Sequence, residues 1–203
     1  EKDALVESYK GKITSAASAH SGEGIFFSSK AVDTFAIWSG GKVYKCYGGR
    51  DHTVLENRLL AYVSRFQNIG TLVMMTLENE TARDLAEVFD VFADVDEGLI
   101  RTRIPVREAC ISGEPVARSQ ARRICRRLEE FKEVILDFDG VEFMGQGFAD
   151  EIFRVFATAC PEVLLCPVHM EKGVYRMIRH VGRGQLAANV RMEAEGIVLE
   201  NNC

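Results

Sequence analysis

Residues 134–153, Val-Ile-Leu-Asp-Phe-Asp-Gly-Val-Glu-Phe-Met-Gly-Gln-Gly-Phe-Ala-Asp-Glu-Ile-Phe, decide the fold of the C-terminal half. The first five residues form a short, largely apolar run, which is typical of a buried strand. Glycine-containing turns follow, and beyond Gly147 the apolar residues recur at helical spacing. The stretch therefore predicts a buried strand, a turn and an amphipathic helix in direct succession.

The residues on either side continue this alternation of strands and helices. Apolar runs at 99–106 and 163–168 predict strands, and apolar residues at helical spacing within 121–131 and 174–181 predict helices. Such alternation indicates an α/β fold, in which helices cover a sheet with parallel strands. We expect this domain to span residues 96–182, while the sequence does not place the tail at 183–203.

The N-terminal half is less regular. The runs at 35–38 and 42–47 flank Ser-Gly-Gly, which predicts a β-hairpin. A strand is predicted at 71–77, and a helix at 81–92 with Thr81 and Asp84 at the spacing of a capping box. These features predict an α+β domain at residues 1–95, joined to the second domain near residue 95.

Composition narrows the class of protein. The chain has 203 residues and is 47% apolar, so it can build a real hydrophobic core. Its net charge of -5 does not favour binding to nucleic acid. The sequence shows no apolar run near the ~20 residues of a membrane span and no signal-peptide pattern, which predicts a cytoplasmic protein with no membrane partner. Six irregularly spaced cysteines predict reduced thiols and no metal site.

A second pattern lies in the N-terminal half and is typical of nucleotide binding. Lys-Gly-Lys-Ile-Thr at 10–14 and His-Ser-Gly-Glu-Gly-Ile-Phe-Phe at 20–27 precede Gly-Thr at 70–71. A glycine-rich turn that opens a helix offers backbone N–H groups and the positive end of the helix dipole to phosphate. Gly-x-Gly alone is a common turn, so the prediction depends on the order of all three segments.

Together with Arg-Ser-Gln-Ala-Arg-Arg at 118–123 and Gly-Gln-Gly-Phe-Ala-Asp-Glu-Ile-Phe-Arg-Val-Phe at 145–156, these motifs resemble one bacterial family. Its members fuse an ATPase domain of the gyrase, Hsp90 and histidine-kinase (GHKL) type to a STAS-like domain of unknown function. The resemblance covers about residues 1–181. It implies the lid-side part of a Bergerat-type ATPase sandwich, then a STAS-like sheet covered by helices, acting in bacterial signal transduction or transcription control.

The resemblance also implies a set of nucleotide contacts: Lys12, Thr14, Gly22, Glu23, Gly24 and Thr71. The family's magnesium-binding Asn helix and adenine-reading loop would both precede Glu1, so we expect a truncated piece. ATP and magnesium are then cofactors of the intact parent, bound weakly or not at all by this chain, for which enzymatic activity is not expected. The missing half of the sheet should expose apolar surface, to be covered by a protein partner or a second copy.

The STAS-like part implies a docking edge, formed by the turn at 145–147 and the first exposed positions of the predicted helix that follows it. These residues are Gly145, Gln146, Gly147, Asp150 and Glu151. Anti-sigma factor antagonists, which are related modules, place a phosphorylatable Ser where this chain has Gln146, whose amide accepts no phosphoryl group. A switch is therefore expected to act through docking or through the nucleotide state of the other domain.

Two charged groups allow other interpretations. Asp137 and Asp139 with Gly140 look like the first motif of haloacid-dehalogenase phosphatases, in which two aspartates act as nucleophile and general acid. The phosphate-binding Lys and the acidic pair for magnesium that such enzymes need are mostly absent downstream.

Arg118 and Arg122 share a helix face that could bind phosphate or an acidic partner, although a solvated face is the expectation.

Overall fold

The computed structural model describes residues 4–12, 22–39, 42–47, 70–110, 114–183 and 185–192. The described residues form two compact units, one drawn from 1–11 and 92–201 and the other from 12–91. We call them the parallel-sheet unit and the antiparallel-sheet unit. The predicted domains kept residues 1–95 together, whereas the structure groups the first helix, α1 (Ala4–Lys10), with the C-terminal half.

The antiparallel-sheet unit contains two helices and three strands in its described part. They are α2 (Gly24–Ala31), β1 (Thr34–Ser39), β2 (Lys42–Tyr47), β3 (Thr71–Thr76) and α3 (Leu85–Phe92), whose last residue crosses the unit boundary. Strand β1 is central and pairs antiparallel with β2 and with β3. The predicted hairpin and the predicted strand after Gly70 are thereby confirmed.

Helix α2 is attached to the sheet by a hydroxyl contact to Tyr44 of β2. Within the sheet, the Tyr44 ring meets the Phe35 ring of β1 edge to face with centroids 6.0 Å apart. The Tyr44 hydroxyl lies 2.9 Å from Ser29 Oγ, which donates to the Phe26 carbonyl at 2.7 Å. On β3, by contrast, Val73 and Met75 are exposed.

Helix α3 begins four residues later than predicted. The Asp84 carboxylate accepts from the Ala86 N–H at 2.8 Å and therefore caps the helix. Thr81, the predicted cap, instead donates to Asp33 at 3.0 Å and accepts from the Arg83 N–H. The capping-box prediction was wrong because the Thr81 hydroxyl takes part in the turn that joins β3 to α3.

The parallel-sheet unit alternates strands and helices as predicted. After α1 it contains β4 (Ala93–Asp94), β5 (Gly98–Leu99), β6 (Arg101–Pro105), α4 (Val106–Ala109), α5 (Arg118–Cys125), a 3-10 turn (Leu128–Glu130), β7 (Glu133–Asp137), α6 (Gln146–Asp150), a π-helix (Glu151–Phe156), α7 (Ala157–Ala159), β8 (Leu164–Val168) and α8 (Lys172–Val181). The sheet order is β6-β7-β8, and all pairs are parallel. The α/β prediction is thus confirmed for this unit.

Strand β7 has one fully buried face and one half-buried face. Val134 and Leu136 are buried, while Glu133, Ile135 and Asp137 are partly exposed. Segments α6, the π-helix and α7 follow without a break, and we call them the central helix. Its buried residues include Phe148, Ala149, Ile152, Phe153, Phe156 and Ala157. This recurrence every four residues exceeds the α-helical period of 3.6, and the wider π-helix keeps such positions on one face.

Lys10 attaches α1 to the parallel-sheet unit. Its side chain is only 1% exposed. Nζ donates to Glu7 Oε1 at 2.8 Å and to the carbonyls of Arg123 and Arg126 at 3.1 and 2.6 Å. These carbonyls lie at the C-terminal end of α5, where backbone acceptors lack helical partners and the dipole favours a cation. Burial lowers the pKa of Lys10, and the Glu7 carboxylate opposes that shift.

Two further features of the described residues concern membrane-spanning helices and cysteines. Within it, no helix combines the length and the apolar character needed to cross a bilayer. Four cysteines whose side chains are described, Cys110, Cys125, Cys160 and Cys166, are free thiols. Burial raises the pKa of Cys110 and of Cys125 to about 12, so these two thiols are structural and unreactive.

The packing of the central helix predicts a sharp contrast between two adjacent positions. Phe156 is buried and Val155 is exposed. We expect Phe156→Ala to lower the free energy of unfolding by about 3–5 kcal/mol, because it leaves a cavity in the core. Val155→Ala, the matched control, should cost well under about 1 kcal/mol. Urea unfolding followed by circular dichroism measures both, and equal losses would contradict the burial pattern.

Candidate functional site

The carboxyl ends of β6, β7 and β8 lie at one edge of the parallel sheet, and Asp137 ends the middle strand. Its Oδ1 accepts from His169 Nδ1 at 2.8 Å and from the Asp139 N–H at 3.1 Å. Its Oδ2 accepts from Arg103 Nη2 and Nε at 2.8 and 3.1 Å. One carboxylate thus joins a β6 side chain to the residue directly after β8.

The charge state of this cluster follows from its contacts. Burial alone raises the pKa of Asp137, but the Arg103 charge and the hydrogen bonds from His169, Arg103 and the Asp139 N–H together lower it below the ordinary value. Asp137 is therefore ionised at neutral pH. Asp139, the other residue of the hypothetical phosphatase pair, is exposed and takes part only through its backbone.

The turn before the central helix is held by the segment that precedes α5. The Gly145 N–H donates to the Pro115 carbonyl at 2.9 Å. A Cβ at Gly145 would overlap the Val116 carbonyl oxygen, so only glycine fits there. A Cβ at Gly147 would lie 3.7 Å from the Arg118 backbone nitrogen, which is ordinary contact. The turn is thus rigid, and its glycines serve close packing within the unit.

Apolar side chains are exposed on both sides of this turn. Phe143 is 56% exposed and Val116 is 45% exposed, although Val116 packs its backbone against Gly145. Gln146, between the two glycines, is also exposed. We call Val116, Phe143 and Gln146 the turn surface. The sequence indicated Gln146 but not the two apolar residues, because a single exposed apolar residue leaves no pattern in a sequence.

Asp150 and Glu151 occupy a different environment from the one predicted. Glu151 is only 8% exposed, and it accepts from Arg118 Nη1 and from Arg122 Nε, each at 2.9 Å. Asp150 accepts from Arg118 Nη2 at 2.7 Å and from Arg154. The expected exposure is therefore not found for Glu151 and is only partial for Asp150, because α5 lies against the central helix and supplies arginines to both. Their role in docking stays a prediction.

The α5 arginines lie on the solvated face that was expected, with the Arg118 side chain 43% and the Arg122 side chain 64% exposed. Both also form ion pairs with carboxylates of the central helix. Hydrogen bonds from Arg154, and then from Arg118, lower the pKa of Asp150. Removal of either carboxylate would therefore disturb the packing of α5, so it is a poor probe of docking.

The residues implied in nucleotide binding are only partly described. Gly22 has a left-handed φ of 74°, Glu23 precedes α2, and Gly24 is its first residue. Lys12 also has a positive φ, of 57°, and Thr14 lies outside the described residues. Thr71 begins β3, is exposed and has its hydroxyl 2.9 Å from Ser39 Oγ.

The surroundings of Gly24 are compatible with phosphate at the start of α2. Among the described residues, no atom other than those of the helix backbone and of the neighbours of Gly24 lies within 4 Å of the position that a Cβ on Gly24 would take. These residues therefore leave the start of α2 open at Gly24. In the described ranges no group of three or more His, Cys, Asp or Glu side chains is placed to hold a metal ion. Among the described residues, the start of α2 is therefore the place where phosphate could be bound.

Residues 120–174 match the family model of a STAS-like domain of unknown function (DUF4325). The match runs from within α5 through β7, the central helix and β8 into α8. It includes the turn before the central helix, Asp137 and His169, but not Arg103 of the same cluster. No curated protein and no solved structure matches the chain. The parallel-sheet unit therefore contains a STAS-like domain, and the comparisons assign no family to the antiparallel-sheet unit.

The cluster around Asp137 is the feature that sequence reasoning missed. From the sequence, His169 had no partner that could be defended, because Asp137 is 32 residues away. The available signal was positional: Asp137 ends one predicted strand and His169 follows the next. Neighbouring parallel strands end at the same edge of a sheet, so two such residues meet when their strands are adjacent.

The lowered pKa of Asp137 gives a pH-dependent prediction. A carboxylate whose pKa is lowered by folding stabilises the fold above its unfolded pKa of about 3.9, and this contribution is lost as the pH falls through the folded pKa. We expect Asp137→Asn to be less stable than the unsubstituted chain near neutral pH, and the difference to shrink below about pH 4. Urea unfolding over this pH range measures the difference.

Asp139→Asn is the matched control, because only the backbone of Asp139 contributes to the cluster. It should leave the free energy of unfolding near that of the unsubstituted chain across the range. A constant deficit of Asp137→Asn at all pH values would show that lost packing, and not lost charge, causes the effect.

Proposed function

We propose that this chain is a regulatory part of a bacterial signalling protein, in which the STAS-like domain binds a protein partner through the turn surface. The observation that carries the proposal is the exposure of Phe143 beside a turn whose geometry Gly145 and Val116 fix. A cytoplasmic location belongs to the same proposal and is supported by the free thiols of the described cysteines.

The physical case rests on preorganisation. Aromatic residues in the centre of an interface often contribute most of the binding free energy. Phe143 lies between Val141 and Met144, both buried, so the backbone that carries its exposed ring is anchored on each side. A rigid presentation lowers the entropy that is lost on binding. Gln146 adds an amide donor and acceptor at the same surface, while Gly145 and Gly147 give the turn its shape.

Phe143→Ser tests the docking proposal. We expect it to weaken association with a protein captured from the source cells by about 2 kcal/mol, or roughly thirtyfold, while the melting temperature stays unchanged. Val155→Ser is the matched control, because Val155 is also an exposed apolar residue of this unit but lies away from the turn. Pull-down and light scattering measure association. If Phe143→Ser leaves every association intact, the turn surface is not the docking site.

We further propose that the antiparallel-sheet unit is the lid-side part of a GHKL-type ATPase domain and that the intact parent binds ATP with magnesium. The support is the left-handed Gly22 before the open N-terminus of α2, the antiparallel sheet, and the exposed Thr71 at the start of β3. The amides of Gly22, Glu23 and Gly24 would contact phosphate. Magnesium, when bound, would neutralise phosphate charge through ligands from upstream.

Gly24→Ala separates nucleotide binding from folding. Since a Cβ at Gly24 meets no atom and alanine favours a helix, the fold should be unchanged or slightly more stable. In a chain extended upstream, we expect the same substitution to weaken magnesium-ATP binding at least about tenfold, by blocking close approach of phosphate.

The present chain should bind magnesium-ATP weakly or not at all, and calorimetry showing micromolar affinity would contradict the incomplete site.

The phosphatase alternative has less support from the geometry. Both oxygens of Asp137 accept hydrogen bonds, two of them from Arg103, so the carboxylate is held in place as an ion-pair partner. A nucleophilic carboxylate needs one oxygen directed at the substrate. Magnesium-dependent hydrolysis of a generic phosphomonoester, lost in Asp137→Asn, would favour that alternative over the binding module.

A further inference from the structure

His169 is held in an unusual conformation at the carboxyl edge of the parallel sheet. It directly follows β8 and has a φ of 51°, in the left-handed region that residues with a Cβ seldom adopt. Its ring bonds to Asp137 at 2.8 Å, yet its side chain remains 39% exposed. The imidazole thus contacts the carboxylate through Nδ1 while part of the side chain remains in contact with water.

The contacts of Asp137 determine which ring nitrogen carries the proton. The other bonds to this carboxylate come from the Arg103 guanidinium and the Asp139 N–H, which are donors only. Asp137 is therefore an acceptor throughout, and His169 Nδ1 must donate to it. In the neutral imidazole, Nε2 then carries the lone pair.

The free position of the ring is Nε2. Within the described residues, no hydroxyl, thiol or carboxylate is hydrogen-bonded to it. An imidazole that served as a general base for a protein nucleophile would need such a hydroxyl or thiol within about 3 Å. Here the imidazole itself is the available nucleophile, and the carboxylate on Nδ1 fixes the orientation of the ring.

A cation lies over the turn that adjoins this cluster. A Cβ at Gly140 would lie 2.7 Å from a guanidinium nitrogen of Arg107, so the exposed Arg107 covers the Asp139–Gly140 turn. Arg107 follows β6 by two residues, as His169 follows β8 by one, and both lie at the same edge of the sheet. Guanidinium groups form strong, charge-assisted hydrogen bonds with phosphoryl oxygens.

We propose that Nε2 of His169 is a phosphoryl-acceptor site. The Nε2 lone pair attacks phosphorus of an N-phosphoryl or acyl phosphate donor and forms the N–P bond. The P–N or P–O bond of the donor breaks, and ammonia or a carboxylate leaves. The Nδ1 proton stays on the ring, and the Asp137 carboxylate stabilises the resulting positive charge. Gln146 cannot take this role, so the acceptor lies at a different position of the same domain.

Phosphoramidate, a small N-phosphoryl donor, tests the proposal directly on the chain. His180 is the internal control, because it is an exposed histidine of the same unit for which no carboxylate partner is found among the described residues. Quenching in alkali and peptide mass spectrometry give the initial rate at each site. We expect phosphorylation of His169 to be at least about tenfold faster than that of His180. Equal rates would overturn the proposal without any variant.

Variants and the product isomer supply independent checks. Asp137→Asn should lower the rate at His169 to that of His180, whereas Asp139→Asn should leave it unchanged. Thermal melting establishes that each variant is folded, and if Asp137→Asn does not fold, the comparison with His180 decides. Nuclear magnetic resonance of the product should show phosphorus on Nε2. Phosphorus on Nδ1, or an unchanged rate in folded Asp137→Asn, would show that the Asp137 contact does not activate the ring.

Discussion

The position of β7 between two parallel partners is the constraint on which the parallel-sheet unit depends. Each residue from Glu133 to Asp137 has a register partner on β6 and another on β8. A strand paired on both sides cannot shift by one residue without turning its apolar face to water. The register therefore determines which residue stands at the carboxyl end of β7. Asp137 therefore meets Arg103 and His169, and the chain leaves the sheet at Phe138 towards the turn and the central helix.

Charged residues have two distinct roles in this unit. Arg118 and Arg122 hold α5 against the central helix through Asp150 and Glu151, and Lys10 caps α5 from α1. These contacts give hydrogen-bond partners to carboxylates and backbone carbonyls that would otherwise have none. They are therefore explained by folding alone and do not indicate a ligand. Asp137 also accepts ion-pair bonds, but it differs because it contacts an imidazole, that of His169, whose side chain is 39% exposed. That difference separates structural ion pairs from a candidate reactive site.

Most strands and helices were predictable from the sequence, whereas side-chain contacts between separate elements were not. The strands at 133–137 and 164–168 were predictable because a short continuous apolar run bounded by turns is typical of a buried strand. Burial of Glu151 was not, because it depends on arginines about 30 residues earlier. The start of α3 was misplaced because Thr81 hydrogen-bonds to Asp33, far away in the chain. In each miss, a contact between separate elements overrode a local pattern.

The two candidate surfaces of the STAS-like domain are close in sequence and share their anchors. From Asp137 the chain passes through the Asp139–Gly140 turn, buries Val141 and Met144, and exposes Phe143 before reaching Gly145. This segment has little freedom, since the Val141 N–H bonds to the Phe138 carbonyl and Gly145 lies against Val116. A phosphoryl group on His169 would add about two negative charges beside the Asp137 end of this segment. Because the segment is rigid, such a change would act on a partner at Phe143 through charge, without a rearrangement of the turn.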